Sequence, residues 1–282
     1  MARPGSVAGR GRVRARRRFG QHFLLPAWTA RVLDCAAFTA RDRVIEIGPG
    51  RGALTFPLSS RVLDITAVEI DRDLVAGLRE RAPGNVRVVE GDFLDVPAET
   101  LLPSGEEGPW RAVGNLPYNV SSPILFRLLE LSRATGRLRD ATLMLQREVA
   151  DRVASPPGSK PYGVLSIMVQ LDAEVHLLLT LPPGAFRPAP QVWSKVIRLT
   201  FRPPTVEIAD RHRFGVLIRS LFAQRRKKVS NSLQPLAASL GLDALEALRQ
   251  AGIDPSCRPE TLHLAELARL ADALGAGAAP WD

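Results

Sequence analysis

Cysteine is scarce in this sequence, and its scarcity excludes two classes of protein. The 282 residues include two cysteines, Cys35 and Cys257, which lie far apart. So few cysteines exclude a disulfide framework and a cysteine-rich zinc module, and they are typical of a reducing compartment such as the cytoplasm. The four histidines show no metal-ligand spacing. We therefore expect a cytoplasmic protein that holds no metal.

Apolar runs are short throughout the sequence. None approaches the ~18 residues needed to cross a bilayer, and no apolar segment follows the basic N-terminus as it would in a secretory signal. Glycine (22 residues) and proline (23 residues) are too few for a collagen-like or low-complexity chain. We expect a globular protein without membrane contact, and its length predicts two domains of roughly 150 residues each.

Acidic residues are missing from the two places where positive charge collects. The formal net charge is +9, residues 1–18 hold seven arginines and no acid, and Arg225, Arg226, Lys227 and Lys228 follow one another directly. A polyanion such as nucleic acid is the natural partner of such clusters. A solvated tail and a solvated helix face are the alternatives. We expect phosphate contact at the second cluster and a disordered arm over residues 1–18.

Short apolar runs alternate with helical patterns from about residue 27 onward. The predicted strands span 44–48, 64–70, 86–92, 111–116 and 141–146, and the predicted helices include 28–37, 72–81 and 123–131. This alternation predicts an α/β fold whose mostly parallel sheet is covered by helices on both faces.

The pattern changes in the second half of the chain. Late strands are predicted at 165–179 and 194–201, and beyond residue 204 the predicted elements are helices alone, at 211–224, 230–240, 242–251 and 262–274. The chain is therefore predicted to divide into a basic arm (1–18), an α/β domain (19–204) and a small helical domain (205–282).

Glycines follow the first predicted strand. Gly48, Gly50 and Gly52 would let the backbone turn tightly and approach a ligand closely. Glu69 ends the next strand and could accept both ribose hydroxyls of a nucleoside, and Asp92 ends the third, where it could hold an exocyclic amine. In open α/β sheets, ligands bind at these carboxyl ends of strands.

A glycine loop alone is a weak signal. This loop also satisfies the relaxed dinucleotide fingerprint GxGxx(G/A), so NAD is a competitor, and a purely structural turn is another. However, Glu46 completes an E-x-G-x-G-x-G pattern typical of methyltransferases. The polar strand ends Glu69, Asp92 and Asn115 suit a zwitterionic nucleoside without a pyrophosphate, which would prefer a helix N-terminus clear of acids. These features favour S-adenosylmethionine as the cofactor.

The segment Asn115-Leu116-Pro117-Tyr118 follows the fourth strand. It has the shape of the (N/D/S)-P-P-(Y/F) motif of methyltransferases that modify planar exocyclic amines, whose delocalised lone pair makes them poor nucleophiles. The Asn115 side-chain oxygen and the Leu116 carbonyl, which Pro117 leaves free, can accept hydrogen bonds from both N–H groups and orient the amine. Tyr118 can stack on the base. Transfer is then an in-line displacement driven mainly by positioning; a structural turn with an incidental aromatic is the alternative.

Together, these motifs and several later ones resemble the family of ribosomal RNA adenine N6,N6-dimethyltransferases. The matching segments are FGQHFL (19–24), 46–52, 69–71, 91–92, NLPYNVS (115–121), QREVA (146–150), PPGSKPYG (156–163), FRPAP (186–190) and QRRK (224–227). The resemblance implies a Rossmann-like class I methyltransferase sheet with a helical C-terminal domain. Two features depart from it: Trp193 stands where many relatives carry Asp, and residues 1–18 are longer than the N-terminal motif requires.

The resemblance also implies the residues of the site. Those implied to bind S-adenosylmethionine are His22, Leu24, Gly48, Gly50, Glu69, Ile70, Asp92, Phe93 and Asn115. Asn115, Leu116 and Tyr118 would carry catalysis, and Phe186 would be the second aromatic face on an extruded adenine, opposite Tyr118. Packing of Phe186 on the sheet is the alternative. The cluster at 225–228 would bind RNA.

The leading hypothesis is dimethylation of two adjacent adenosines near the 3′ end of small-subunit rRNA, in an immature 30S particle, by a monomeric enzyme. The alternatives are a large-subunit methyltransferase that confers macrolide resistance, and a non-catalytic assembly or transcription factor on the same scaffold. The motifs NLPYNVS, PPGSK and QRRK favour the first hypothesis. The intact Glu69, Asp92 and NLPY set argues against the last. An NAD dehydrogenase ranks behind these because no proton-relay histidine lies near the sheet motifs.

Overall fold

A computed structural model describes residues 22–103, 105 and 108–275. The predicted arm and the first three residues of the FGQHFL segment lie outside the described residues. The strands are β1 (Phe23–Leu24), β2 (Arg43–Ile47), β3 (Asp64–Glu69), β4 (Val86–Glu90), β5 (Trp110–Asn115), β6 (Leu138–Gln146), β7 (Ala173–Leu181), β8 (Phe186–Arg187) and β9 (Ser194–Phe201). The helices are α1 (Pro26–Ala36), α2 (Thr55–Ser59), α3 (Arg72–Arg81), α4 (Ala98–Leu101), α5 (Ser121–Thr135), α6 (Arg147–Val153), α7 (Val164–Asp172), α8 (Arg211–Ala223), α9 (Val229–Ser239), α10 (Ala244–Ala251) and α11 (Leu264–Gly275).

A seven-stranded sheet in the order β4-β3-β2-β5-β6-β9-β7 forms the centre of the molecule. The strands from β4 to β6 are parallel, and β9 and β7 complete the sheet in antiparallel pairings. Ile47 at the end of β2 lies in register with Val68 of β3 and Gly114 of β5. The segments that follow β2, β3, β4 and β5 therefore meet at one edge of the sheet. The α/β prediction is confirmed.

Helices cover both faces of this sheet. Alternate residues of a strand point to opposite faces, so neighbouring residues of β2 pack against different helices. Ile45 and Ile47 of β2 belong to a buried apolar cluster that includes Leu125 of α5. Val44 belongs to a separate cluster that includes Leu33 of α1. The run VIEI, residues 44–47, therefore has apolar residues on both faces of the sheet, as expected of a central parallel strand.

The predicted strand at 165–179 is wrong over its first half. Residues Val164–Asp172 form α7, and the strand β7 begins only at Ala173. The segment is rich in apolar, branched residues on both sides of Asp172, and periodicity alone does not separate a buried helix from a buried strand in such a segment. The strand predicted at 194–201 is confirmed as β9.

Beyond residue 204, the regular elements in the described part of the chain are helical, as predicted: α8 to α11 with one 3₁₀ turn. These helices have their own apolar core, around Phe214, Leu217 and Leu248, but that core also takes in Tyr162 and Ile167 from the preceding region. These helices therefore pack directly onto α7 and the loop before it. The boundary at 204 stays a prediction.

Asp172 ties the helical region to the sheet region. Its buried carboxylate lies at the end of α7 and accepts a hydrogen bond from Arg211 Nη2 of α8 at 2.7 Å and another from Arg133 Nη1 of α5 at 2.8 Å. Bidentate and charge-assisted bonds of this kind fix orientation as well as adding stability. α8 is therefore anchored where the two regions meet.

A second buried ion network holds α1 against the sheet. Arg111 of β5 donates to Asp140 Oδ1 at 2.8 Å, to Asp42 Oδ2 at 3.0 Å and to the carbonyl of Ala36 at 2.8 Å. Arg139, whose side chain is 45% exposed, bonds the same two carboxylates from outside. Removing a buried partner from such a network leaves uncompensated charge.

No helix within the described ranges has the length and apolar content that a membrane span requires.

Candidate active site

Two adjoining clefts open at the edge of the sheet where the parallel strands end. The first, of about 740 Å³ with its open mouth, contains nine of the residues predicted for the site: His22, Leu24, Gly48, Gly50, Glu69, Ile70, Asn115, Leu116 and Tyr118. The second, of about 570 Å³, is lined by the predicted Asp92 and Phe93. Gly48, Ile70 and Pro117 line both clefts. The strand ends thus form a continuous elongated site, as expected of an open α/β sheet.

The loop after β2 depends on glycine for its path. Gly48 and Gly50 have φ angles of +67° and +61°, which side chains other than glycine rarely adopt. A Cβ atom at Gly50 would lie 3.1 Å from the ring of Phe23, whereas one at Gly48 would meet no atom within 4 Å. The backbone at Gly48 therefore borders open space, and a ligand can approach it closely.

Glu69 closes this loop from the end of β3. Its Oε2 accepts from the Gly50 N–H at 2.8 Å, and its Oε1 accepts from the Asp71 N–H at 2.9 Å. The carboxylate keeps acceptor capacity for a ligand. The side chain is almost fully buried, and burial raises the pKa of this carboxyl above its ordinary value. Glu69 is thus positioned by the loop that it supports.

Glu46 is a buried acceptor at the floor of the first cleft. It is 1% exposed, and its Oε2 has no hydrogen-bond partner. Burial raises the pKa of Glu46 to about 7, and the nearby Glu69 charge adds to the shift. An unpaired buried carboxylate oxygen is costly unless a ligand supplies a donor.

Asp92 lies at the far end of the elongated site, beyond β4. Its Oδ1 accepts from the Leu94 N–H at 3.0 Å, which leaves Oδ2 as the remaining acceptor. Phe93 beside it is buried, with 4% of its surface exposed. Ile70, which is 45% exposed, stands where the two clefts join. Apolar walls with one carboxylate suit a planar base that carries an amine.

The amide of Asn115 is oriented by the chain segment that crosses above it. Its Nδ2 donates to the carbonyl oxygen of His22 at 2.7 Å. A carbonyl oxygen only accepts, so this bond fixes which end of the amide is nitrogen. The other end, Oδ1, is therefore left as an acceptor.

Tyr118 is held on two sides. Its hydroxyl lies 2.9 Å from Ser194 Oγ, and its ring stacks on the imidazole of His22, with 5.5 Å between ring centroids and 27° between planes. Burial raises the pKa of the Tyr118 hydroxyl, so it stays protonated. One face of the ring is thus covered by His22. Leu116, between Asn115 and the turn, has a buried side chain.

Phe186 is not placed in the clefts, contrary to the prediction that it faces Tyr118. The strand β8 pairs with β1, which brings Phe186 into register with Leu24. Its side chain is fully buried in an apolar cluster with Leu24 and Leu181. The packing alternative is therefore the one that the structure supports, because a 0% exposed ring offers no face to a base.

The basic cluster at 225–228 occupies the turn between α8 and α9 and lies outside both clefts. Arg225 donates to the carbonyl of Lys160 at 3.1 Å, in the loop that precedes α7. Arg226, Lys227 and Lys228 are exposed. The cluster is therefore available to a large polyanion that also reaches the clefts, but it does not contact a ligand within them.

Sequence reasoning missed Ser194 and the part played by Pro188. The carbonyl of Pro188 accepts a hydrogen bond from His22 Nδ1 at 2.7 Å, so the loop after β8 supports the His22–Tyr118 stack. No local pattern marks these contacts, which join residues about 76 and 166 positions apart in the chain. Within the described ranges, no group of three or more His, Cys, Asp or Glu side chains could hold a metal ion.

The residues present fit S-adenosylmethionine. The unpaired Glu46 oxygen is a ready acceptor, the open space at Gly48 admits a close ligand, and the carboxylates of Glu69 and Asp92 stand apart along one elongated site. The sheet order, the glycine loop and these strand ends define the chain as a class I methyltransferase that uses S-adenosylmethionine.

Comparison with known proteins gives the narrower assignment. The family described as "Ribosomal RNA adenine dimethylase" matches residues 12–274. Proteins named "Ribosomal RNA small subunit methyltransferase A" are similar: that of Xanthomonas euvesicatoria is 45% identical over 262 residues, covering 92% of this chain and 95% of its own. That of Acinetobacter baylyi is 42% identical over 263 residues, covering 92% of each chain. The chain belongs to the ribosomal RNA adenine dimethylase family, which confirms the resemblance seen in its motifs.

Solved structures agree with the fold. A dimethyladenosine transferase from Plasmodium falciparum superposes with a TM-score of 0.72 at 21% identity, covering 88% of this chain and 96% of that one. The 23S rRNA methyltransferase ErmE superposes with a TM-score of 0.65 at 27% identity, covering 90% and 99%. The class I methyltransferase fold is therefore shared over nearly the whole chain.

Proposed function

We propose that this chain transfers methyl groups from S-adenosylmethionine to N6 of two adjacent adenosines near the 3′ end of small-subunit rRNA. The observation that carries the proposal is the fixed amide of Asn115, whose Oδ1 is left as an acceptor beside the first cleft. The small-subunit names of relatives at 41–45% identity support the choice of RNA.

The elongated site would hold the cofactor along its length. Glu69 would accept the ribose hydroxyls, Asp92 would accept the exocyclic amine of the cofactor's base, and the backbone at Gly48 would lie against the ligand. The Glu46 oxygen would receive a donor from the cofactor's polar end. When bound, S-adenosylmethionine supplies an electrophilic methyl group on a sulfonium.

Asn115 and Leu116 would act on the substrate amine. The Asn115 Oδ1 and the Leu116 carbonyl would accept from the two N–H groups of N6, which favours a pyramidal amine with its lone pair directed at the donor. Because His22 fixes the amide beforehand, little orientation is left to acquire during the reaction. The product ammonium is acidic and loses its proton without a strong base.

Tyr118 would stack on the extruded adenine by the face that His22 does not cover. Its hydroxyl bond to Ser194 and its contact with His22 hold the ring in place before the base arrives. An unstacked base in a single-stranded or loop region is the form in which such enzymes reach N6.

The exposed turn at 225–228 would bind RNA phosphates away from the reacting base. The turn lies outside both clefts, which suits a substrate as large as an immature 30S particle. We further propose that the enzyme acts as a monomer in the cytoplasm, where ribosomes are assembled.

Tritiated methyl transfer to ribosomal subunits isolated from cells that lack this enzyme, whose target adenosines are unmethylated, tests this function. Label should appear in small-subunit rRNA as N6-methylated adenosine, and large subunits should stay unlabelled. The likeness to ErmE makes the large subunit the competing substrate. Label confined to large subunits, or none in either subunit at saturating cofactor, would refute the proposal.

A further inference from the structure

The loop at 188–193, between β8 and β9, is tethered near both ends to two residues that line the first cleft, His22 and Tyr118. At its start, the Pro188 carbonyl accepts from His22 Nδ1 at 2.7 Å. At its end, Ser194 bonds the Tyr118 hydroxyl at 2.9 Å, and the Trp193 carbonyl accepts from the Arg147 N–H at 2.9 Å. The backbone of this loop is therefore held against the same two rings that flank the site.

The side chains at the end of the loop are apolar and face outward. Val192 is 43% exposed and Trp193 is 48% exposed. Single exposed apolar residues are ordinary on protein surfaces. Val192 and Trp193, however, are adjacent and directly precede Ser194, which contacts Tyr118. Because the loop backbone is held by hydrogen bonds, it cannot readily turn these two side chains inward.

Positive charge accompanies this aromatic surface. Arg147 begins α6, is exposed, and gives its backbone N–H to the Trp193 carbonyl. Arg187, directly before the loop, is exposed too. An exposed aromatic side chain with exposed arginines on adjoining segments is the combination with which proteins bind single-stranded nucleic acid, by stacking a base and neutralising a phosphate.

We propose that Trp193 stacks on an unpaired base of the RNA substrate, next to the adenosine that enters the cleft. The inference rests on the proposed function, since it requires an RNA substrate with its target base extruded. Stacking on Trp193 would hold the neighbouring nucleotide and so help to present the target to Tyr118. Trp193 is a positioning residue, and it takes no part in methyl transfer.

Equilibrium binding of a protein-free 3′-terminal fragment of small-subunit rRNA tests the proposal with three variants. Loss of one stacked base is worth ~1–3 kcal/mol, so Trp193→Ala should weaken binding about 5- to 150-fold. Trp193→Phe should recover most of the affinity, because it keeps an aromatic face. Leu177→Ala, which truncates a residue equally exposed (47%) on the edge strand β7, should leave affinity unchanged.

The salt dependence of binding separates stacking from charge and from damage to the fold. Trp193→Ala should lower affinity at every salt concentration with the slope of log K against log salt unchanged, because no phosphate contact is lost. Its affinity for S-adenosylmethionine should stay within about twofold of the unsubstituted protein, because Trp193 lines neither cleft.

Three results would overturn the inference: unchanged RNA affinity in Trp193→Ala, no rescue by Trp193→Phe, or a loss seen only with assembled particles, which would indicate a protein contact. Because binding is measured directly, the proposed function can fail separately. An enzyme that transfers no methyl group but still loses RNA affinity on Trp193→Ala would refute the reaction and retain the stacking site.

Discussion

Replacing Asn115 with alanine tests the chemistry at the end of β5. The substitution removes the Oδ1 acceptor and also the Nδ2 bond to the His22 carbonyl at 2.7 Å. If the amide orients the amine chiefly in the transition state, its loss resembles removal of an oxyanion-hole donor, which lowers kcat by about 10²–10³, or roughly 3–4 kcal/mol. We expect a loss of that size.

The same substitution leaves the His22 carbonyl without its donor. The cost in folding stability should be about 1 kcal/mol, the lower end for an unsatisfied group, because the site is half-buried and water can replace the amide. Folding damage therefore cannot account for a loss of two orders of magnitude in turnover.

Single-turnover methyl transfer with saturating RNA and cofactor measures the effect on the chemical step. Calorimetric titration with S-adenosylmethionine should show the variant losing less than about tenfold in cofactor affinity. Gln250→Ala, an amide truncation on the exposed face of α10, is the matched control and should behave as the unsubstituted protein. An Asn115→Ala enzyme that kept kcat within about threefold would refute the amine-orientation mechanism.

Three further predictions concern charge. Glu46→Gln should flatten the pH dependence of the free energy of unfolding. Because burial raises the folded pKa of Glu46 to about 7, this residue contributes stability that is fully present below pH ~4.5 and is lost, on the order of 3 kcal/mol, as the pH rises through 7. Urea titrations at pH 5 and pH 8 should therefore show this pH-dependent loss in the unsubstituted protein and not in the variant. Arg111→Met should lower the free energy of unfolding by about 3 kcal/mol, because Asp42 and Asp140 lose their buried ion-pair partner. Arg139→Met should lower it by less than about 1 kcal/mol, because the Arg139 side chain is largely exposed. Equal losses in the two variants would contradict this dependence on burial. Arg226→Ala with Lys227→Ala should weaken RNA binding and reduce its salt slope by about 1.4, and an unchanged slope would exclude phosphate contact there.

The sheet could be predicted from the sequence because its signals are local. Strand β2 has apolar residues on both faces and is followed directly by a loop with three glycines. Neighbouring residues therefore predict both the burial of the strand and the tight turn that follows it. The parallel order then places Glu69, Asp92 and Asn115 at one edge without further information. The elongated site follows from these facts.

What could not be predicted depends on contacts distant in sequence. Helix α7 and strand β7 are both rich in apolar, branched residues, and Asp172, where the helix ends, pairs with arginines from α5 and α8. Phe186 is buried because β8 pairs with β1, a pairing across more than 160 residues. The hydroxyl of Ser194 meets Tyr118 for the same kind of reason.

A structure of the enzyme with S-adenosylhomocysteine and an RNA that contains the target adenosine would show whether Asn115 orients the substrate amine. We expect the N6 atom within about 3 Å of Asn115 Oδ1, with the adenine ring on the open face of Tyr118. An adenine bound elsewhere on the protein, or an N6 atom beyond hydrogen-bond reach of Asn115, would contradict it.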